Sequence, residues 1–142
     1  MLFRSNFLLN AGGQLYAQGQ HGRFLDEPWG VGIQDPDSTR GDVLKSIVLT
    51  NESSSTSGDY ESFFMEGGVR YHHILDMKTG MPARSKFRSA TVVCRDATVA
   101  DALSTSFFIL GDTKVLRDLL HTYGCYGIGV TSEKTFVEVL RR

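Results

Sequence analysis

Residues 98–111, TVADALSTSFFILG, place their apolar side chains at the spacing of an α-helix. Residues three and four apart share a helix face, which puts Val99 and Leu103 on one predicted face. Phe108 lies on the opposite predicted face, beside Asp101. A helix at the surface of a domain keeps its second face polar throughout. We therefore predict that this helix is covered on both sides.

A second helical segment, DTKVLRDLLHTYG, follows directly at 112–124. Asp96 or Thr98 is predicted to cap the start of the first helix, and Gly111 to end it. For the second helix we predict that Asp112 caps the start and that Gly124 follows the end. Its buried stripe is predicted to consist of Val115, Leu116, Leu119 and Leu120.

The rest of the chain alternates apolar and polar residues in short runs, which is typical of β-strands. Strands are predicted at 7–19, 29–35, 44–51, 69–75, 88–94, 127–131 and 136–140. Gly12 and Gly13 interrupt the first run, as at a bulge or a close backbone approach. Gly67 and Gly68 predict a hairpin turn, and the serine-rich stretch 52–64 is predicted to be a loop. The fold class is α+β, a mostly antiparallel sheet with two consecutive helices on one face.

The composition indicates one globular domain over residues 1–142, with 41% hydrophobic and 22% charged residues. A net charge of −1 provides no attraction to nucleic acid or anionic lipid, so no nucleic-acid partner is expected. No apolar run approaches the roughly 18 residues of a transmembrane helix. Residues 1–10 lack the long apolar region of a signal peptide. Cys94 and Cys125 are most simply two buried small hydrophobic residues, with a disulfide left open.

Asp101 and Thr105 lie one turn apart on the first helix, in a place that we expect to be covered. No lysine or arginine lies within a turn of Asp101, and a buried carboxylate needs a partner. A carboxylate with a hydroxyl suits Mg²⁺ together with phosphate oxygens. The alternative is that the helix dipole stabilises Asp101 while Thr105 bonds back to a carbonyl.

The stretch YHHILDMKTG at 71–80 ends a predicted strand with two adjacent histidines. Side chains of consecutive strand residues point to opposite faces, so His72 and His73 cannot bind one metal ion together. One histidine is expected to face a cleft and the other solvent, although two ordinary structural histidines fit the pattern as well. Asp76 is predicted to begin a turn in which Gly80 takes a positive φ.

Backbone amides in STSGDYE, residues 55–61, are candidates for holding a phosphate or carbonyl group. Together with LLNAGGQLYAQG, WGVGIQDP, YHHILDMKTGMPA and SATVVCRDATVADALSTSFFILG, this segment resembles the ApbE family of FAD:protein FMN transferases over nearly the whole chain. The resemblance implies that FAD and Mg²⁺ are bound. It further implies that FMN is transferred to a threonine or serine of a target flavoprotein, with release of AMP. Some members hydrolyse FAD instead.

The resemblance also implies roles for particular residues. Asp101 and Thr105 are the implied metal ligands, and His73 is the implied catalytic residue, with His72 as its outward neighbour. The implied FAD-contacting residues are Gly58, Ile74, Leu75 and Thr79. The sequence departs from the family pattern at four positions, which are Gln14, Met77, Lys78 and Ser104.

The resemblance implies that the chain corresponds to the C-terminal half of a family member. Three hypotheses follow: a flavin transferase, a non-catalytic module that binds a flavin or a nucleotide, and a structural remnant stabilised as a homo-oligomer. Family members are typically exported and membrane-anchored, whereas residues 1–10 show no export signal, so both localisations stay open.

Overall fold

The computed structural model describes residues 5–21, 27–38 and 41–140. These residues form ten strands and two helices. The strands are β1 (Phe7–Ala11), β2 (Gln14–Gln18), β3 (Trp29–Gln34), β4 (Val43–Leu49), β5 (Glu52–Gly58), β6 (Phe63–Glu66), β7 (Val69–His72), β8 (Phe87–Cys94), β9 (Tyr126–Thr131) and β10 (Phe136–Val139). The helices are α1 (Ala97–Leu110) and α2 (Lys114–Thr122).

One six-stranded sheet organises the fold, in the order β1-β2-β5-β8-β9-β10, with every neighbouring pair antiparallel. The hairpins β3–β4 and β6–β7 form two separate two-stranded sheets. Both helices belong to the hydrophobic core on one face of the six-stranded sheet. The predicted α+β class, with a mostly antiparallel sheet and two consecutive helices on one face, is confirmed.

The second face of the sheet packs against the β3–β4 hairpin. Val31 and Ile33 of β3 and Ile47 and Leu49 of β4 are buried there, against β8 and β9. The exposure of β3 alternates residue by residue, as the sequence predicted.

Helix α1 begins and ends where the sequence predicts. The Asp96 carboxylate accepts hydrogen bonds from the amides of Thr98 and Val99 at 2.8 and 3.2 Å, and Gly111 ends the helix with φ 67°. One face of α1 is buried, comprising Ala100, Leu103, Ser104, Phe107 and Phe108. The prediction of cover on both sides is wrong, because Phe108 belongs to this single stripe and Asp101 is exposed.

Two glycines of β9 allow large aromatic rings to lie directly on the sheet. A Cβ atom at Gly127 would come within 2.7 Å of the Phe107 ring, and one at Gly129 within 2.6 Å of the Phe87 ring. The two rings meet edge to face, with centroids 4.9 Å apart. Because this surface of β9 has no side chains, α1 packs close to the sheet.

The start of α2 differs from the prediction. Thr113 is the N-cap, since its hydroxyl accepts from the amide of Leu116, whereas Asp112 pairs with Arg117. Leu116 and Leu120 are buried and Leu119 is partly buried, but Val115 is 61% exposed and lies outside the stripe. Gly124, with φ 66°, follows the helix end as predicted.

The serine-rich stretch 52–64 is not a loop, because its first seven residues form β5 at the centre of the sheet. Serine and threonine suit this position since they are small and their hydroxyls find partners. Ser53 donates to the carbonyl of Leu15 at 2.7 Å, and Thr56 bonds to Thr91 at 2.8 Å. A run made almost entirely of hydroxyl residues hides the alternation of apolar and polar side chains by which a strand is recognised.

Both glycine pairs form hairpin turns. Gly67 and Gly68 join β6 to β7 as predicted, with φ values of 55° and 79°. Gly12 and Gly13 join β1 to β2 with φ values of 64° and 95°, so this pair is a turn rather than a bulge within one strand.

Cys94 and Cys125 form a disulfide that joins the end of β8 to the residue before β9. Both residues are buried, as expected, but as a covalent pair rather than as two free thiols. Within the described residues, neither helix is long and apolar enough to span a membrane.

We predict that Gly58→Ala destabilises the fold by about 1–3 kcal/mol, the usual cost of overpacking a filled site. The added Cβ would lie 2.6 Å from the Tyr60 ring and 3.0 Å from the carbonyl oxygen of Arg88. The measurement is urea unfolding without ligand. Gly30→Ala is the matched control, because Gly30 is also a strand residue but has open space around the new Cβ. Equal unfolding midpoints for the two variants would contradict the prediction.

Candidate functional site

A group of hydroxyls lies between β5 and α1 and contacts the predicted metal ligands. We call this group the hydroxyl seam, which consists of Ser55, Ser57, Ser104 and Thr105. Ser57 Oγ lies 2.9 Å from both Ser104 Oγ and Thr105 Oγ1. Ser55 Oγ donates to Asp101 Oδ1 at 3.1 Å. The seam therefore connects Asp101 and Thr105 to the central strand of the sheet.

Strand pairing explains why these hydroxyls face the helix. Ser55 pairs with Val92 and Ser57 with Ala90, and both partners belong to the core beneath α1. Residues directly opposite each other in an antiparallel pair share a face of the sheet. Small side chains on this face let the helix approach within hydrogen-bonding distance of the strand.

The predicted metal ligands occupy the edge of this seam. Asp101 is exposed and Thr105 is half-buried, so the carboxylate is open to solvent rather than covered. Among the ion pairs of the described residues, none involves Asp101. Among the residues that the structure describes, its side chain has one hydrogen-bond partner, Ser55. A solvent-facing carboxylate without a cationic partner, next to a hydroxyl, is a set of hard oxygen donors that fits Mg²⁺.

The described residues would supply only part of a metal coordination shell at this place. In the described part of the chain, no three His, Cys, Asp or Glu side chains cluster as a metal site. Mg²⁺ typically keeps water and substrate phosphate oxygens beside one or two protein carboxylates. Asp101 and Thr105 are compatible with such a site, in which a phosphate group completes the shell.

Ser104 lies in the interior of the seam rather than at its edge. It is 0% exposed, and its hydroxyl donates to the carbonyl oxygen of Asp101 at 2.9 Å. The sequence departs from the family pattern at this position. Here the position links the helix to β5 and is not open to a ligand.

The two adjacent histidines differ in exposure, but His72 is the more buried of the two, whereas it was predicted to face outward. His72 is half-buried, with its ring edge to face against Phe108 at 5.6 Å between centroids. Its Nε2 lies 3.2 Å from the carbonyl of Ala83. His73 is exposed, so the prediction that His72 is the outward neighbour is wrong. The inward histidine instead holds residues 72–83, which we call the histidine segment, against α1.

The contacts of His73 determine its tautomer. Its Nδ1 lies 3.2 Å from the carbonyl oxygen of Ser62. A carbonyl oxygen only accepts, so Nδ1 carries the proton in this contact. In a neutral ring, Nε2 then presents a lone pair.

The turn after the histidines has the predicted form. Asp76 Oδ1 accepts from the amide of Lys78 at 2.9 Å, and Gly80 has φ 69°. Of the residues expected to contact FAD, Ile74 is buried in the core, whereas Leu75 is 45% exposed and Thr79 is exposed. Nothing in these contacts tests the flavin role, which stays a prediction.

Gly58 lies at the end of β5, next to a cluster of charged residues. Asp59 accepts from Arg70 at 3.2 Å and from Arg88 at 2.9 Å. Burial lowers the pKa of Arg88, but hydrogen bonds and charges from Asp59 and Asp37 outweigh it and raise the pKa overall. The cluster holds the β6–β7 hairpin, which carries Arg70, against β8.

Tyr60 is the second feature beside Gly58. Burial, together with the negative charges of Glu61 and Asp59, raises the pKa of Tyr60 to about 12. Its ring occupies the space that a side chain at Gly58 would need. Gly58 is therefore explained by packing, and its predicted contact with FAD is a separate hypothesis.

The structure brings some of the predicted residues together and leaves others apart. Asp101 and Thr105 share the hydroxyl seam. His73 contacts neither of them within the described residues, although its neighbour His72 packs on Phe108 of the same helix. Phe108 lies three residues beyond Thr105, a rise of about 4.5 Å along α1. The histidine segment and the seam thus contact the same helix.

A separate cleft of about 800 Å³ lies near the disulfide, lined by Arg95, His121, Tyr123 and Cys125 among others. None of the predicted site residues lines this cleft. The candidate site is therefore the surface at Asp101, Thr105 and the histidine segment.

Sequence reasoning singled out residues 55–61 for their backbone amides, but it missed the side-chain role of Ser55 and Ser57 and the anchoring role of His72. The two serines alternate at 55 and 57, as on one face of a strand, but Ser54 and Thr56 on the other face are hydroxyl residues too. Polarity alone could not separate the faces.

Comparisons with known proteins find related sequences and structures. The ApbE family model matches residues 4–125. A Haemophilus influenzae protein named FAD:protein FMN transferase is 35% identical over 113 residues, which cover 79% of this chain and 32% of that protein. An Escherichia coli K12 protein of the same name is 34% identical over 129 residues, covering 91% of this chain and 36% of its own length.

A solved structure has the same fold. The crystal structure of the ApbE protein of Thermotoga maritima matches with a TM-score of 0.81 and 36% identity, over 95% of this chain and 43% of that chain. This chain therefore spans about a third of the length of the two curated relatives and under half of the solved one.

We predict that His72→Ala lowers the free energy of unfolding by about 1–3 kcal/mol, because it removes a hydrogen bond and an aromatic contact. His73→Ala, at the adjacent exposed position, is the matched control and should change stability by about 0.5 kcal/mol or less. Chemical denaturation of both variants measures the difference. Equal losses would show that His72 does not anchor the segment.

Proposed function

Because this chain belongs to the ApbE family, we propose that it carries metal-binding and catalytic side chains of a Mg²⁺-dependent FAD:protein FMN transferase. The substrates are FAD and a threonine or serine hydroxyl of a target flavoprotein. The observation that carries the proposal is the placement of Asp101 and Thr105 together at the solvent edge of the hydroxyl seam.

In the proposed reaction, the acceptor oxygen attacks the phosphorus of the FMN half of FAD. A P–O ester bond forms, and the P–O bond to the AMP half breaks. AMP leaves with the bridging oxygen and the electron pair of that bond. Such phosphoryl transfers depend mainly on positioning and on neutralising charge.

Asp101 and Thr105 would hold the Mg²⁺, which, when bound, neutralises charge on the phosphates. The exposed position of Asp101 leaves room for a pyrophosphate to share the ion. Because none of the ion pairs in the described part of the chain involves Asp101, its carboxylate charge is available for this purpose.

His73 would accept the proton of the attacking hydroxyl. Its Nδ1–H donates to Ser62, so the exposed ring presents Nε2 as the acceptor. Imidazole side chains serve widely as general bases near neutral pH. Leu75 and Thr79 lie exposed on the segment that follows His73 and are proposed to contact the flavin half, together with Ile74 and Gly58.

The disulfide supports a further proposal, that the protein works outside the cytoplasm. Disulfides persist in oxidising compartments and are rare where thiols are kept reduced. This agrees with the exported localisation that the family resemblance implies.

We predict that the chain releases AMP from FAD when Mg²⁺ is present, with water taking the place of the acceptor hydroxyl. Asp101→Asn should reduce the rate about 100-fold or more by removing the charge that holds the ion, and His73→Ala by about 10²–10⁴-fold. Chromatographic detection of AMP measures the rate, and fluorescence titration measures FAD binding.

Asp118→Asn is the control, since Asp118 is an exposed carboxylate on α2 that pairs with Lys114. FAD binding without AMP would favour the non-catalytic binding module over the transferase. Absence of both binding and AMP would refute the proposal for this chain.

We predict that Cys94 and Cys125 are oxidised in the source cells. Thiols would be trapped with N-ethylmaleimide in intact cells, and the protein then examined by mass spectrometry before and after reduction. No alkylation before reduction and two alkylated cysteines after it are expected. Two alkylated cysteines without reduction would contradict the proposed compartment.

A further inference from the structure

We propose that Ser55, Ser57 and Ser104 are positioning residues that orient the oxygen atoms of Asp101 and Thr105 for a divalent cation. The inference rests on the proposed function for the presence of the cation. It concerns the direction of each hydrogen bond in the seam, which follows from counting protons.

Ser104 fixes the first direction. Its single hydroxyl proton goes to the carbonyl oxygen of Asp101, at 2.9 Å, because a carbonyl only accepts. Its longer contact to Ser55 Oγ, at 3.4 Å, would use the same proton. In either case Ser104 has no proton left for Ser57.

The remaining directions follow in sequence. Ser57 must donate to Ser104 across their 2.9 Å contact, so Ser57 can only accept from Thr105 across the next. The proton of Thr105 is therefore directed into the seam towards Ser57. The lone pairs of Thr105 Oγ1 are left on the side away from its proton, which is the arrangement that a metal ligand needs.

Ser55 orients the carboxylate of Asp101 in a similar way. Its proton goes to Asp101 Oδ1, because an ionised carboxylate only accepts. One carboxylate oxygen is held by this bond, while the other, Oδ2, has no hydrogen-bond donor among the described residues. The carboxylate therefore keeps a fixed orientation with an oxygen available to a cation.

Ser55 and Ser104 act through Asp101 and Thr105 rather than as ligands themselves, and the half-buried Ser57 acts by accepting the proton of Thr105. Ser55 is 4% exposed and Ser104 is 0% exposed, which leaves them beneath the edge where an ion would bind. Groups that orient metal ligands typically change metal affinity about 10–100-fold when removed.

The test is the affinity of the chain for Mn²⁺ alone, measured by electron paramagnetic resonance of the free ion. Ser57→Ala should weaken Mn²⁺ binding about tenfold, because Thr105 loses the acceptor that directs its proton. Ser57→Thr, which keeps the hydroxyl, should restore the affinity to within about threefold of the original value. Circular dichroism confirms that each variant is folded under the conditions used.

Ser53→Ala is the matched control. Ser53 lies on the same strand and the same face, but its hydroxyl donates to Leu15 and contacts neither Asp101 nor Thr105. Its Mn²⁺ affinity should equal that of the unchanged chain. If Ser57→Ala and Ser53→Ala bind Mn²⁺ equally well, the positioning role is overturned.

Asp101→Ala separates this inference from the proposed function. Loss of Mn²⁺ binding in Asp101→Ala, with no effect of Ser57→Ala, would overturn the positioning role and leave the metal site standing. Undiminished Mn²⁺ binding in Asp101→Ala, or no binding to the unchanged chain, would overturn both.

Discussion

The close packing of α1 on the central sheet is the interaction on which the candidate site depends. Phe107 lies over Gly127, where a Cβ atom would come within 2.7 Å of the ring. Next to this contact the sheet presents Ser55, Ser57 and Ala90, all of them small. A larger residue on this surface would lift the helix and separate the strand hydroxyls from it, since packed interiors do not absorb added volume freely. The hydrogen bonds of the seam therefore depend on the small side chains of the sheet beneath the helix.

Each face of the six-stranded sheet is covered by a hydrophobic core, and this arrangement determines where the candidate site lies. Val92 faces the helices, while its neighbour Val93 faces the β3–β4 hairpin. The hairpin thus fills one face of the sheet and the helices the other. The candidate site is then left at the margin of the helix face, where the exposed Asp101 and the histidine segment meet solvent.

The sequence predicted those parts of the fold that depend on local periodicity and on caps. Asp96 and Gly111 bound α1 as expected, and the α+β class was correct. It failed at β5, because a strand made almost entirely of hydroxyl residues has no alternating hydrophobicity to detect. It also reversed the exposure of His72 and His73, since alternation predicts that two neighbours differ but not which of them faces the core. That choice is made by Phe108, a partner 36 positions from His72 in sequence.

The pairing of β5 has a consequence for how the chain tolerates length changes. Ser55 and Ser57 point to the helix, whereas Thr56 between them bonds to Thr91 on the opposite face. Insertion or deletion of one residue between Asn51 and Ser55 would turn every following side chain of the strand to the other face. The composition of the strand would hardly change, because hydroxyls would still occupy most positions, yet the oxygen pattern beneath Asp101 and Thr105 would be lost. Spacing within this strand thus carries information that residue identity alone does not.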